Sequence, residues 1–111
     1  MIITKTLVAG SQLAATATTY YTAPANTKAV ITNMTLTNTT AGAITATVHV
    51  IDTGATETAS NMCISAKAIA AGETYKCPEV IGKTISATGT IRALAGSATS
   101  ISIQAHGYEV T

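Results

Sequence analysis

Apolar and polar residues take turns along three long runs of this chain. In residues 28–38, KAVITNMTLTN, an extended backbone puts Val30, Met34 and Leu36 on one side and Asn33, Thr35 and Thr37 on the other. In residues 43–52, AITATVHVID, Ile44, Ala46, Val48 and Val50 oppose Thr45, Thr47 and His49. In residues 100–110, SISIQAHGYEV, Ile101, Ile103 and Ala105 oppose Ser102, Gln104 and His106. A period of two marks a strand with one buried and one wet face, which suits antiparallel sheets packed through a shared core. Turn-forming clusters (VAGSQ, APANTK, NTTAGA, DTGATETASN, AAGE, ATGT and AGSATS) part the chain into short runs. The pattern predicts an all-β fold, an antiparallel β-sandwich of about 7–8 strands in jelly-roll or immunoglobulin-like order.

The weaker runs fit that frame. Met62, Ile64, Ala66 and Ala68 alternate within MCISAKAI, which predicts a strand despite the helix preference of Ala and Lys. A hairpin from this run to TYKCPEV, turning about Ala71 and Gly72, sets Cys77 opposite a residue near Ala66. Cys63 then faces the other way, and without a bulge the two thiols do not pair. Pro24 and Pro78 fall at strand ends or edges, where a sheet tolerates them. The whole of 1–111 reads as a single domain. Its first 19 residues form either an N-terminal arm or an edge strand, with Ile2, Ile3, Leu7 and Val8 as candidate contact residues.

Composition changes what the surface is made of. There are 23 Thr and 21 Ala and no Phe or Trp, and 10% of residues are charged, against roughly 25% in an ordinary soluble domain. Hydroxyls and amides must therefore wet the outer faces. With a net charge of +1 and six basic residues placed singly, nothing forms a stripe for phosphates, so no nucleic-acid partner is expected. No apolar run reaches the roughly 18 residues that span a bilayer. Gly10, Ser11 and Gln12 interrupt TLVAG before it is long enough for an export signal, so neither a membrane nor a secretory route is expected.

Candidate chemistry is sparse. His49, His106 and Cys63 lack the close spacing of metal ligands, and neither a metal nor another cofactor is expected. G-x-S-x-G is absent. Asn33-Met-Thr35 and Asn38-Thr-Thr40 match the glycan acceptor pattern, in a chain where Thr is common enough to produce such matches by chance. Of the four tyrosines, Tyr20 and Tyr21 are adjacent, so one points inward and Tyr20 is the candidate for an outward contact. The segment VIDTGATET, residues 50–58, resembles the catalytic loop of the retroviral-type aspartic proteases, in which two chains bring two aspartates together. VIG at 80–82 imitates a second piece of that family. The stretch between Asp52 and Gly82 is too short to hold a flap hairpin, and KTISATGTIR after it has turn and strand character where those enzymes have a helix. Asp-Thr-Gly is then a turn at a strand end.

YYTAPANTKAVITNMTLTNTT, followed by ITATVHVID, IAAGETY and SISIQAHGYEV, resembles as an ordered set the small β-sandwich virion proteins of tailed bacteriophages over residues 7 to 110. The resemblance implies a non-enzymatic structural protein made in the bacterial host cytoplasm and assembled on the capsid exterior. There it would act as a decoration (cement) protein on the major capsid protein and as a homo-oligomer. A tail- or fibre-associated role on the host surface is the alternative it allows. It carries no catalytic residue across.

Overall fold

The computed structural model describes every residue except Thr53, Gly54 and Glu57. Among the described residues nine strands follow one another: β1 Ile2–Gln12, β2 Thr18–Thr22, β3 Lys28–Asn38, β4 Ile44–Ile51, β5 Met62–Ile69, β6 Thr74–Tyr75, β7 Thr84–Ile85, β8 Thr90–Ala95 and β9 Ile101–Val110. A single 3₁₀ turn, Ala59–Asn61, is the only helical element among the described residues. All pairings are antiparallel and form two sheets. The first has the order β1-β9-β3-β6, with β7 also on β3, and the second has the order β2-β8-β4-β5.

This order decides between the two sandwiches the sequence allows. Leaving aside the two-residue β7, the partners nest: β4 with β5, β3 with β6, β2 with β8 and β1 with β9. Successive nested pairs fall in alternate sheets, which is a hairpin ribbon rolled up as a jelly roll. The core lies between the layers. Ile31, Met34 and Leu36 of β3 and Ile101 and Ile103 of β9 face Val48 of β4, Ile64 and Ile69 of β5 and Ile91 of β8, all buried. Each such side chain contributes roughly 1.5–3 kcal/mol. In a chain without Phe or Trp, branched aliphatics take the volume that large aromatics usually fill.

Two expectations do not hold. Val30 does not share a face with Met34 and Leu36: Ala29 and Ile31 point inward and Val30 lies half-buried outside. The register with β9 slips between Ile31 and Asn33, so Thr32 is an extra residue and the parity flips. Gly107, opposite Ile31, makes room for this bulge, because a Cβ there would run into the Val30 carbonyl oxygen.

The hairpin between MCISAKAI and TYKCPEV does not form. β5 pairs with β4 and β6 with β3, in different sheets. The turn between them, closed by Glu73 N–H to Ala70 O at 3.0 Å, is a corner that carries the chain across the sandwich. Cys63 and Cys77 are both free thiols there.

Asn38 is no glycan acceptor, since its side chain is wholly buried at that corner. Its Nδ2 donates to Ile69 O at 2.8 Å and Gly42 O at 2.7 Å. Its Oδ1 accepts from Thr40 N at 2.9 Å and Thr40 Oγ1 at 2.7 Å. One amide thus holds the end of β3, the loop after it and the end of β5, and all its polar capacity toward the chain is used.

Candidate contact surface

The Asp52 segment is the first place to look for chemistry. Asp52 follows β4 and is exposed; its carbonyl accepts the Ala55 N–H at 3.1 Å, and its Oδ1 accepts from Ser86 Oγ at 3.4 Å. Thr53 and Gly54, the rest of the protease-like tripeptide, lie outside the described residues. An open cleft of about 260 Å³ adjoins it, lined by Val50, Asp52, Ser60, Asn61, Met62, Cys63, Lys83 and Thr84. Asp52 is the one carboxylate among the described residues of this lining, and acid proteolysis would need a second one from another chain, within reach of a shared proton. Among the described residues no three His, Cys, Asp or Glu side chains gather as a metal site.

His49 departs from its expected place on a wet face. It is 4% exposed, because the chain after Asp52 returns to it: Asn61 Oδ1 lies 2.8 Å from His49 Nδ1. That same oxygen accepts the Thr58 N–H at 3.0 Å, and Asn61 Nδ2 donates to Thr56 O at 2.7 Å. The amide orientation is therefore set, and His49 must donate through Nδ1. His106 is exposed on β9, in the other sheet, so the two histidines serve no common centre.

The remaining polar groups tie the fold together. Tyr21 fills the core and donates its hydroxyl to the buried Glu109 at 2.5 Å across the two sheets. Burial, then this carboxylate, holds the phenol well above its ordinary range. Lys5 approaches Glu109 at 3.4 Å. Tyr75 donates to both carboxylate oxygens of Glu79, at 2.6 and 2.5 Å, with Lys67 5.1 Å above its ring. That bond pushes Tyr75 up to about 12 and lowers Glu79. Burial, and then Glu79, pushes the Cys77 thiol up to about 12, so it is no nucleophile at neutral pH.

Of the expected contact residues, Ile2 and Ile3 are 67% and 48% exposed, whereas Leu7 and Val8, at 6% and 2%, belong to the chain's own core. Tyr20 is half-buried; its hydroxyl accepts from Ala14 N at 2.9 Å and donates to Gln12 O at 3.4 Å, fastening the β1–β2 connection. Residues 2–12 are zipped to β9 and form an edge strand, and Met1 and Thr111 exchange hydrogen bonds of 2.7 and 2.9 Å at its end.

The edges of the two sheets are not alike. β6 and β7 have two residues each. β2 has five and is interrupted at Tyr20. β5 slips register twice against β4 and carries Ala66 at φ +45°. Short length, bulges and twist are the devices that stop an edge from pairing with another chain. β1 has no bulge over its first half: Ile2 to Thr6 pair with β9 without a break, the slip comes only at Leu7, Lys5 is the one charged side chain there, and Met1, Ile2 and Ile3 are exposed.

No protein-family model matches the sequence, and no curated protein matches it. Among solved structures, a chain in the structure of infectious bursal disease virus, Gx strain, is similar with a TM-score of 0.46 and 13% identity, over 98% of this chain and 32% of that one. The present chain thus spans about a third of the length of that viral chain, and no function is carried across on the likeness.

Proposed function

We propose that this chain is a non-enzymatic structural protein of a virion, a decoration protein on the capsid exterior that reinforces contacts between shell subunits. The observation that carries the reading is the unbulged first half of β1, a paired strand whose outer edge offers backbone donors and acceptors beside exposed Met1, Ile2 and Ile3. Its partners are the major capsid protein and further copies of the chain. The surface supports this: with 10% charged residues, few ions must be desolvated and few long side chains immobilised when neighbours close on it.

The test is to add purified protein to expanded shells that lack it. Binding at a fixed copy number per shell is expected, and it should be lost in the Ile2→Lys, Ile3→Lys double variant, whose side chains lie outside the core. No binding to shells, or binding unchanged by the double variant, overturns the proposal. Adherence to host cells with no affinity for shells would move the chain to a tail or fibre.

A further inference from the structure

The outer face of the first sheet carries a second candidate surface, at right angles to the β1 edge. On β9, Tyr108 and His106 project to this side two residues apart, a spacing of roughly 6.8 Å. Thr4 and Thr6 of β1 stand directly opposite them on one flank, and Val30 and Asn33 of β3 on the other. His106, Thr4, Thr6 and Asn33 are exposed, and Tyr108 is half-buried. The aligned slips at Leu7 and Thr32 leave an open hollow of about 410 Å³ lined by Thr4, Lys5, Thr6, Thr32, His106 and Gly107. Thr32, the bulged residue, fixes its floor by donating Oγ1 to His106 O at 3.2 Å.

We propose that this face binds a neutral saccharide. Size comes first. Six residues line the hollow, whereas a stable protein interface takes roughly 20–30 residues from each partner. The hollow is too small to seat a second chain and matches a few sugar rings.

Charge comes next. Lys5 is engaged by Glu109 and Lys28 stands alone at the far row, so an acidic polymer finds no array of cations. Chemistry points the same way. A pyranose has an apolar C–H face that packs on an aromatic ring, and a belt of hydroxyls that needs partners able to donate and accept. Tyr108 supplies the ring, and the imidazole of His106, the amide of Asn33 and the hydroxyls of Thr4, Thr6 and Thr32 supply the partners. The open, shallow hollow admits a chain passing through. Assembly through the β1 edge lies in the plane of the sheet, with Ile2 alone reaching this face one row from Thr4 and Tyr108, and different variants test the two surfaces, so the saccharide site stands or falls separately from the virion role.

The experiment is an amide-resolved NMR titration of the 11.2 kDa protein with four neutral hexasaccharides (of cellulose, amylose, mannan and laminarin type) and with an alginate hexamer as the acidic comparison. At least one neutral probe should shift the amides of residues 4–6, 32–33 and 106–108 saturably. His106→Ala and Tyr108→Ala should each weaken that binding at least tenfold, with Tyr75→Ala unchanged. Thr6→Arg, which adds bulk on an exposed position, gives the same reading should Tyr108→Ala fail to fold. Shifts from none of the neutral probes, from alginate alone, or from protein concentration without sugar would each overturn the proposal, the last by making this face a meeting surface for two copies.

Discussion

Replacing Asn38 by Ala should remove the fastening of one corner of the sandwich. Four hydrogen bonds disappear, and the one to Ile69 O is buried. Losing a buried partner costs about 1–3 kcal/mol, and each of the three part-exposed bonds, where water can substitute, about 0.5–1 kcal/mol. The total is about 2.5–6 kcal/mol, a large share of the roughly 5–15 kcal/mol that holds an ordinary domain folded. For 111 residues, an unfolding entropy near 2.1 cal/mol/K per residue converts this to a fall in Tm of about 11–26 °C. Thermal and urea unfolding followed by circular dichroism measure both quantities. Asn38→Asp keeps the two acceptor bonds, loses both donors and places a carboxylate in a buried site, so it should be at least as damaging at pH 7. A loss below about 1 kcal/mol in both variants would refute the corner clamp.

Gly107→Ala should destabilise by about 2–4 kcal/mol in the same assays, because the added methyl meets the Val30 backbone and the Leu7 side chain, neither of which can yield without undoing the bulge. In a thiol titration with a chromogenic disulfide, half-buried Cys63 should react in the native state and Cys77 only on unfolding. The raised folded value of Cys77, about 12 against 9.0, means its contribution is intact below pH 9 and is lost as pH rises toward 12. Alkaline unfolding of Cys77→Ala should therefore be less steep than that of the parent, and identical curves would contradict this. Glu79 works in the opposite direction: its lowered value gives a contribution present above the ordinary carboxylate range and lost on acidification. Tyr75→Phe should differ from the parent at neutral pH and converge with it in acid; a gap that persists in acid would remove the pairing as its cause.

The long strands were legible because their alternation is strong. β3 spans the run at 28–38, β4 lies within 43–52 and β9 within 100–110. What local pattern missed are the places where one residue changes parity or where distant segments meet. The Thr32 bulge leaves no mark in β3 itself, and its trace is Gly107, a glycine inside an otherwise regular strand of the partner. His49 alternates as an outward residue should, yet the segment through Asn61 covers it. AAGE looks like the turn of a hairpin, and only the wider topology shows that it joins two sheets. The sequence leaves Leu7 and Val8 open between an arm and an edge strand because nothing in ten residues reveals a partner a hundred positions away, on β9. For the same reason, deleting residues 1–9 is no clean test of assembly: it would take two core side chains as well as the edge.

Imaging intact particles from the cells that make this protein, at a resolution that separates strands, tests the central claim most directly. The account predicts a two-layer density on the outer surface of the shell, with the first half of β1 turned toward a shell subunit or a second copy. Particles that lack it, or a jelly roll whose β1 edge faces open solvent, would contradict the account.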